Sequence, residues 1–192
     1  MISLFFLIFS IISALNGDNL VINEVYIGER IEWVELYNNS SNPVNLEGYI
    51  IANSMKGDTI SGIIEPYSFF LISSSSIFPQ SLSYTTRDRK IGSGLKRDAD
   101  AVLLFDNKGN LLDFVNWGTA SPSWKYYRKD FWNSLPGGYR DYARIPNGVD
   151  SDSPADWAFG DISTPMRRNE IITGLDPSSW DRIKSLFSEE KK

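Results

Sequence analysis

Two glutamates near the start of the chain lie at a spacing that brings carboxyl groups together on a β-hairpin. Glu24 falls in LVINEVYI and Glu35 in IEWVELYN, two runs joined by Gly28-Glu29. A two-residue turn there pairs Glu24 with Trp33 and makes Glu35 a diagonal neighbour of Glu24 on one face. Carboxyl groups roughly 5 to 10 Å apart form the catalytic pair of glycoside hydrolases. The spacing therefore raises the hypothesis of a carboxylate-only hydrolase.

A structural role is the alternative for these glutamates, and we favour it. A flat sheet face has no cleft, and nothing nearby in the sequence supplies groups to position water or sugar. We therefore expect one of the pair to cap backbone N–H groups or to accept from a Tyr, Trp or Arg. Glu32 should point to the opposite face, and Arg30 is the nearest candidate cation. On this interpretation the protein is not an enzyme.

The chain contains neither His nor Cys. Without His, Ser-His-Asp chemistry is excluded, and so is the commonest metal ligand. Without Cys, a disulfide scaffold, a thiol nucleophile and a zinc-thiolate site are excluded as well. Stability must therefore come from packing, and we expect no cofactor apart from the calcium candidate considered next.

A short acidic loop, NGVDSDSPAD, holds Asp150, Asp152 and Asp156. Hard cations such as Ca²⁺ bind several carboxylate and carbonyl oxygens at close quarters, so these three residues are candidate metal ligands. The run lacks the Gly and the terminal Glu of an EF-hand loop. Asp and Ser also form turns in which the side chain bonds a neighbouring backbone amide, and we favour such a turn without metal.

The segment between residues 117 and 144 is crowded with aromatic rings and interleaved with Lys and Arg. Such a mixture suits stacking on sugars or binding of an anionic polymer, so a polysaccharide or an envelope protein is the candidate partner. The alternative is a satellite hydrophobic cluster that pins a long loop to the sheet edge. The candidate ligand-binding residues are Trp124, Tyr126, Tyr127, Arg128, Trp132 and Tyr139.

The net charge of −5 argues against nucleic-acid binding by the whole chain. The distribution is uneven, because residues 67 to 148 contain 11 Lys and Arg against 7 Asp and Glu. A second basic run, RDRKIGSGLKR, spans Arg87 to Arg97. Its Gly92-Ser93-Gly94 could form an anion-binding nest of backbone N–H groups, but we favour a flexible, solvated loop.

Short runs of β-branched and aromatic residues recur between turn residues along the chain. This pattern predicts an all-β, antiparallel sandwich or barrel, with DNKGN closing a second hairpin. The clearest runs are LVINEVYI, IEWVELYN, VNLEGYIIAN, YSFFLIS, AVLLFDN and LLDFVNW.

Helical periodicity is confined to the C-terminal run LDPSSWDRIKSLF. Asp176 suits an N-cap and Pro177 the first helical position, while Trp180, Ile183 and Phe187 share one face. We predict a short amphipathic helix that docks on the sandwich, with partner binding through this face as the alternative.

The first 17 residues, MISLFFLIFSIISALNG, form an apolar run too short to span a bilayer and followed at once by polar chain. This is typical of a secretory signal. We therefore predict an exported protein, secreted or at the cell surface, with no transmembrane span after cleavage. An uncleaved N-terminal anchor is the alternative.

Six segments, in this order and at these spacings, resemble the lamin tail domain, an immunoglobulin-like sandwich. The segments are INEV, EWVELYNNSSNPVNLEGYII, GDTI, PYSFFLI, DADAVLLFDNKGNLLDFVNWG and YARIPNGVDSDSPADW. Similar domains of exported microbial proteins close with a Thr-Pro-Gly-x-Pro-Asn-like run. Here STPMRRN keeps Thr164, Pro165 and Asn169 but not the Gly or the second Pro.

The resemblance implies a non-catalytic binding or scaffold module of the exported bacterial or archaeal type. It covers residues from about Leu20 to Asn169. The expected organisation is a signal peptide over residues 1–17, a β-sandwich over 18–169 and a C-terminal extension with the short helix over 170–192.

Export makes a direct prediction about the N-terminus. If the signal is removed, the mature chain begins near Asp18. N-terminal sequencing of protein from its native source measures this, and recovery of intact Met1 from the cytosol would contradict export.

Overall fold

The computed structural model describes residues 20–129, 131 and 135–170. The predicted signal peptide and the predicted C-terminal helix lie outside these residues. Within them the only helical element is a 3-10 turn, Pro154–Asp156, and no helix is long and apolar enough to cross a membrane. The strands are β1 Leu20–Ile27, β2 Glu32–Asn38, β3 Val44–Asn45, β4 Tyr49–Asn53, β5 Gly57–Ile60, β6 Ile63–Ile64, β7 Phe69–Ser73, β8 Ser83–Thr85, β9 Asp100–Phe105, β10 Leu111–Trp117, β11 Asp141–Arg144 and β12 Trp157–Gly160.

Two sheets form the sandwich. One has six strands in the order β12-β11-β1-β2-β7-β8, and the other has four in the order β10-β9-β4-β5, while β3 and β6 pair separately. Neighbours are antiparallel except β7 and β8, which are parallel. The prediction of an antiparallel β-sandwich is confirmed, and each of the six runs singled out in the sequence contains at least one strand.

Alternation along the strands builds the core between the sheets. Val25, Val34 and Leu36 of the six-stranded sheet face the same interior as Leu104 and Val115 of the four-stranded sheet, and all five are fully buried. Successive side chains on a strand point to opposite faces, so the residues between them turn outward. This places Glu24 and Glu35 on the outer face of the six-stranded sheet.

The first hairpin differs in register from the sequence prediction. Glu24 pairs directly with Glu35 and Tyr26 with Trp33, so the predicted pairing of Glu24 with Trp33 is wrong. The ladder ends with Ile27 opposite Glu32, so the connection has four residues, from Gly28 to Ile31, rather than two. The shift of two residues keeps Glu24 and Glu35 on one face and makes them direct rather than diagonal neighbours. A bulge between Ile22 and Glu24 turns Ile22 into the core, off the face that regular alternation predicts.

A buried ion pair joins the two sheets. Arg144 on β11 and Asp113 on β10 are 1% and 3% exposed at their side chains, with Arg144 Nη2 2.9 Å from Asp113 Oδ2. Both also bind Ile22, next to a β-bulge in β1, because the Ile22 N–H donates to Asp113 Oδ2 and Arg144 Nε donates to the Ile22 carbonyl. The pair thus satisfies the polar backbone of the bulge and holds the sheets in register.

Removal of the guanidinium should therefore be costly. Replacing Arg144 by Gln leaves a buried carboxylate without its charge partner, and we expect a loss of roughly 3 to 5 kcal/mol in the free energy of unfolding. Arg140→Gln is the matched control. Arg140 is 47% exposed at its side chain and pairs with the exposed Glu29, so its loss should cost under about 1 kcal/mol. Urea denaturation measures both, and equal losses would contradict the assignment.

Candidate functional site

Both candidate catalytic glutamates lie under a segment from the C-terminal side of the chain. Glu24 and Glu35 are 0% exposed. Glu24 accepts hydrogen bonds from the Thr164 N–H at 2.8 Å and lies 2.9 Å from the Thr164 hydroxyl, while Glu35 accepts from the Met166 N–H and from Asn23 Nδ2. We call residues 161–169 the closing segment. The expectation that one glutamate caps backbone N–H groups is confirmed.

The closing segment is held by Thr164 and Asn169, two of its residues that match the family run. Asn169 donates through Nδ2 to the carbonyls of Asn23 and Arg144, both at 3.0 Å, and its Oδ1 lies 2.6 Å from the Thr164 hydroxyl. Asn169 therefore takes part in the closure, as its match to the family run implies. Met166 has φ +62°, the left-handed conformation that Gly adopts without steric cost, and it stands where the family run has Gly.

The Thr164 hydroxyl lies between two acceptors, Glu24 Oε2 and Asn169 Oδ1. It carries one hydrogen, which these two oxygens share. Both Nδ2 hydrogens of Asn169 go to backbone carbonyls, so the Asn169 side chain uses all of its hydrogen-bonding groups in this contact.

A third carboxyl completes the carboxyl cluster of Glu24, Glu35 and Asp141. Asp141 is 1% exposed, and its carboxyl lies against that of Glu24. Burial, reinforced by the adjacent Glu24 charge, raises the pKa of Asp141 to about 9. Burial also raises the pKa of Glu24 to about 7, against which the hydrogen bonds from Thr164 act. The pKa of Glu35 lies well above its ordinary value, from burial and from the Glu24 charge.

The arrangement does not provide a hydrolase site. The carboxyls of Glu24 and Glu35 face the closing segment rather than a cleft, and both accept hydrogen bonds from it. Arg167, not Arg30, is the cation whose charge acts on Glu24. Glu32 points away from the cluster as expected, and its carboxylate accepts from the N–H groups of Ile91 and Leu95. The raised pKa values therefore follow from burial in a structural contact.

Stability should depend on pH through this cluster. Folded-state pKa values above the ordinary ones mean that the cluster stabilises the fold fully below about pH 4, and that this contribution is lost as pH rises through about 7 and then 9. Thermal melts from pH 4 to pH 10 should show a falling midpoint. Two nearby charges shift the pH at which stability is lost. The Arg167 charge lowers the pKa of Glu24, and the Asp161 charge raises the pKa of Asp141.

Glu24→Gln isolates the effect, because its amide can donate to the Thr164 hydroxyl at every pH. We expect this variant to be about as stable as the parent at pH 4 and roughly 2 kcal/mol more stable above pH 8. Glu47→Gln, at an exposed position, is the control. If Glu24→Gln and the parent lose stability in parallel as pH rises, Glu24 is not protonated in the folded protein.

The acidic loop folds around Arg144. Its guanidinium lies 2.9 Å from Asp150 Oδ1 and 3.3 Å from Asp156 Oδ2, and the Arg144 Cζ lies 4.7 Å from the centre of the Trp157 ring. Asp156 also accepts from the N–H and hydroxyl of Ser151. No group of three or more acidic side chains in the described part of the chain is arranged to hold a metal ion. The Arg144 guanidinium pairs with the Asp150 and Asp156 carboxylates, so we do not propose a calcium site at Asp150, Asp152 and Asp156.

Three rings of the 117–144 segment pack against the four-stranded sheet. Trp124, Tyr126 and Phe131 cover a small second core on the outer face of the four-stranded sheet, formed by Ala52, Ala101, Leu103 and Phe114. The Phe131 and Phe114 rings lie 5.0 Å apart. The rings therefore fix the segment to the sheet, as the packing alternative predicts.

The outward groups of the segment are polar or amphipathic. Lys125 and Lys129 are exposed, and Tyr127 and Tyr139 are 37% and 39% exposed. Trp132 lies outside the described residues. Arg128 is partly buried. Of the predicted ligand residues, the structure thus directs Tyr127 and Tyr139 toward solvent and gives Trp124 and Tyr126 anchoring contacts.

The ends of the segment belong to the main core. Trp117 is fully buried, stacks on Tyr142 with ring centres 5.0 Å apart, and donates from Nε1 to the Lys96 carbonyl at 2.7 Å. Arg144 is the buried cation described above. The candidate surface is therefore confined to residues 121–129, and Tyr139 is a separate partly exposed ring that packs on Phe159 of β12.

The backbone of the second basic run is bonded to the sandwich, while most of its cations are exposed. Its predicted nest is occupied by the protein's own carboxylates, because Glu32 binds the N–H groups of Ile91 and Leu95 while Asp58 binds the N–H of Gly92 at 2.6 Å. Ile91 is 0% exposed. The local sequence gave no sign of this contact, because Glu32 lies 59 residues away from Ile91.

Sequence reasoning missed Asp141 as a member of the cluster. Asp141 begins β11, and its strand pairs with β1 so that Asp141 lies opposite Tyr26. Side-chain alternation along a strand predicts that Asp141 and Ala143 share a face. No local feature of the sequence, however, identifies β1 as the strand that pairs with β11. Its proximity to Glu24 depends on a pairing between residues more than a hundred positions apart.

Residues 13–119 match a family model described as the lamin tail domain. The match begins within the predicted signal peptide, includes strands β1 to β10 and ends before β11, β12 and the closing segment. No curated protein sequence matches the chain.

Proposed function

The chain belongs to the lamin tail domain family, and from that premise we propose that it is a non-catalytic binding module acting at the cell surface or envelope. Lamin tail domains are non-enzymatic immunoglobulin-like modules. In this chain the only paired carboxyl groups suggested for catalysis are covered by the closing segment. The apolar run at residues 1–17 supports the exported location.

The single observation that carries the binding proposal is the way residues 121–129 sit on the four-stranded sheet. Trp124 and Tyr126 anchor the segment from below, and Lys125, Tyr127 and Lys129 are left facing solvent. A short surface held rigidly by packing loses little conformational entropy on binding. A polysaccharide or an envelope partner is therefore the ligand class that we assign to it.

The proposed roles differ among the predicted ligand residues. Tyr127 and Tyr139 supply partly exposed rings for the partner, and Arg128 adds charge. Trp124 and Tyr126 position the segment and touch the partner only at their exposed edges. Docking through the C-terminal helix is a separate hypothesis that falls outside the described residues, and no observation favours it here.

Variants at Trp124 and Tyr127 separate anchoring from binding. Trp124→Ala removes a half-buried ring from the second core, so we expect a loss of roughly 1 to 3 kcal/mol in the free energy of unfolding. Tyr127→Ala should leave the thermal midpoint within about 2 °C of the parent and reduce retention on a total polysaccharide or envelope fraction. Tyr67→Ala, at a tyrosine that is 60% exposed on another loop, is the matched control for retention.

Differential scanning fluorimetry and pull-down on immobilised fractions provide the two readouts. If Tyr127→Ala and Tyr67→Ala are both retained as well as the parent, residues 121–129 are a structural cover and the binding proposal is wrong.

A further inference from the structure

The two basic runs that are separate in sequence meet at one end of the four-stranded sheet. The loop between β4 and β5, residues 54–56, lies between them. On one side the Ser54 carbonyl accepts from the Tyr126 N–H at 3.1 Å. On the other side Lys56 Nζ lies 2.5 Å from Asp88 Oδ2, within the second basic run. Lys56 thus stands at the junction of residues 87–97 and 121–129.

This end of the molecule concentrates positive charge in a protein whose net charge is −5. The exposed cations of the combined surface are Lys56, Arg87, Arg89, Lys90, Lys96, Lys125 and Lys129. The nearby carboxylates are fewer, since Asp58 and Asp88 both pair with Lys56 and Asp98 is exposed. We call this set of cations the basic end. An anionic ligand gains most from the six cations other than Lys56, because they lie on loops around one strand end.

The loops of the basic end are held in place by internal hydrogen bonds. Asn53 Oδ1 accepts from the N–H groups of Lys56 and Ser93, and Asp100 accepts from the N–H groups of Ser54 and Lys96. Asn53 and Asp100 are both 0% exposed. The positions of the cations are therefore set before a ligand arrives, which lowers the entropic cost of binding.

The side chains around the cations favour a charged sugar polymer. Apolar groups that could enter a lipid layer are few at the basic end, where Met55 and Tyr127 are 41% and 37% exposed. The large rings Trp124 and Phe131 are packed against the sheet and offer no free face to an unstacked base. The exposed Ser123 hydroxyl and the Lys ammonium groups suit sugar hydroxyls and carboxylates.

We propose that the basic end, built from Lys56 and from both basic runs, binds an acidic polysaccharide through the carboxylate groups of successive sugar units. The proposal rests on the proposed function and deepens it, because it extends the surface to residues 87–97 and names the ligand class. Binding is predominantly electrostatic, so it weakens as salt rises.

The test compares two forms of one polymer. Polygalacturonate carries a carboxylate on each unit, and its fully methyl-esterified form has the same backbone without charge. Affinity electrophoresis of the full chain should show at least about tenfold tighter binding to the charged form, lost between about 50 mM and 500 mM NaCl. Lys90→Glu and Lys125→Glu, one from each basic run, should each weaken binding about tenfold.

Lys108→Glu is the matched control, because Lys108 is exposed in the hairpin at the opposite end of β9 and changes the net charge equally. It should bind like the parent, and thermal melts should show all three variants folded. Equal binding to both polymer forms, or an effect of Lys125→Glu without one of Lys90→Glu, overturns the composite acidic site and leaves the proposed function standing.

If the parent protein binds neither form of the polymer and is not retained on the total polysaccharide and envelope fractions, both proposals are wrong. Tighter binding to duplex DNA or to vesicles with anionic lipid than to polygalacturonate overturns the assigned ligand class.

Discussion

The structure depends on one buried guanidinium. Arg144 joins β11 to β10 through Asp113, satisfies the Ile22 carbonyl beside the bulge in β1 and gathers the acidic loop through Asp150 and Asp156. A buried Arg is tolerable only where its charge is paired and its donors are satisfied. The Arg144 side chain has five partners, which are Ile22, Asp113, Val149, Asp150 and Asp156. The sheet register, the bulge and the acidic loop are thereby tied to a single side chain.

The same network extends to the closing segment. The Arg144 carbonyl and the Asn23 carbonyl receive the side-chain amide of Asn169, and Thr164 carries the chain of hydrogen bonds on to Glu24. Asn23 also donates to Glu35 and accepts from the Gly148 N–H. The Glu24 and Glu35 carboxyls, whose spacing in the sequence resembles that of an active site, therefore bind the segment that covers one face of the sandwich. The second core lies on the other sheet, on the outer face that residues 121–129 cover.

Local patterns predicted much of this fold. The alternating runs around β1, β2 and β10 and the Asp106–Asn110 turn follow from side-chain period and turn chemistry, which are properties of neighbouring residues. Strands of two to four residues, such as β6 and β11, are too short to show a period. Glu24 and Glu35 could be brought together from sequence because one hairpin contains them both, even though the register was off by two.

The remaining features depend on contacts between distant residues. Arg144 does not stand out among the Lys and Arg of the 117–144 segment, because its partner Asp113 lies 31 positions away on the other sheet. The cover over Glu24 comes from Thr164, 140 positions away. The union of the two basic runs depends on the β4–β5 loop between them, for which the sequence gives no signal. Burial and pairing of charges are thus tertiary properties that a pattern of residue types does not contain.

The most direct test of the account is to map where an acidic polymer contacts the protein. Two-dimensional NMR of the ¹⁵N-labelled chain during titration with polygalacturonate reports on each backbone amide. The account predicts shifts at Lys56, at Lys90 and at residues 121–129, with the amides of Glu24, Glu35 and Thr164 unchanged. Shifts centred on Glu24, Glu35 and the closing segment, with the basic end unaffected, would contradict it.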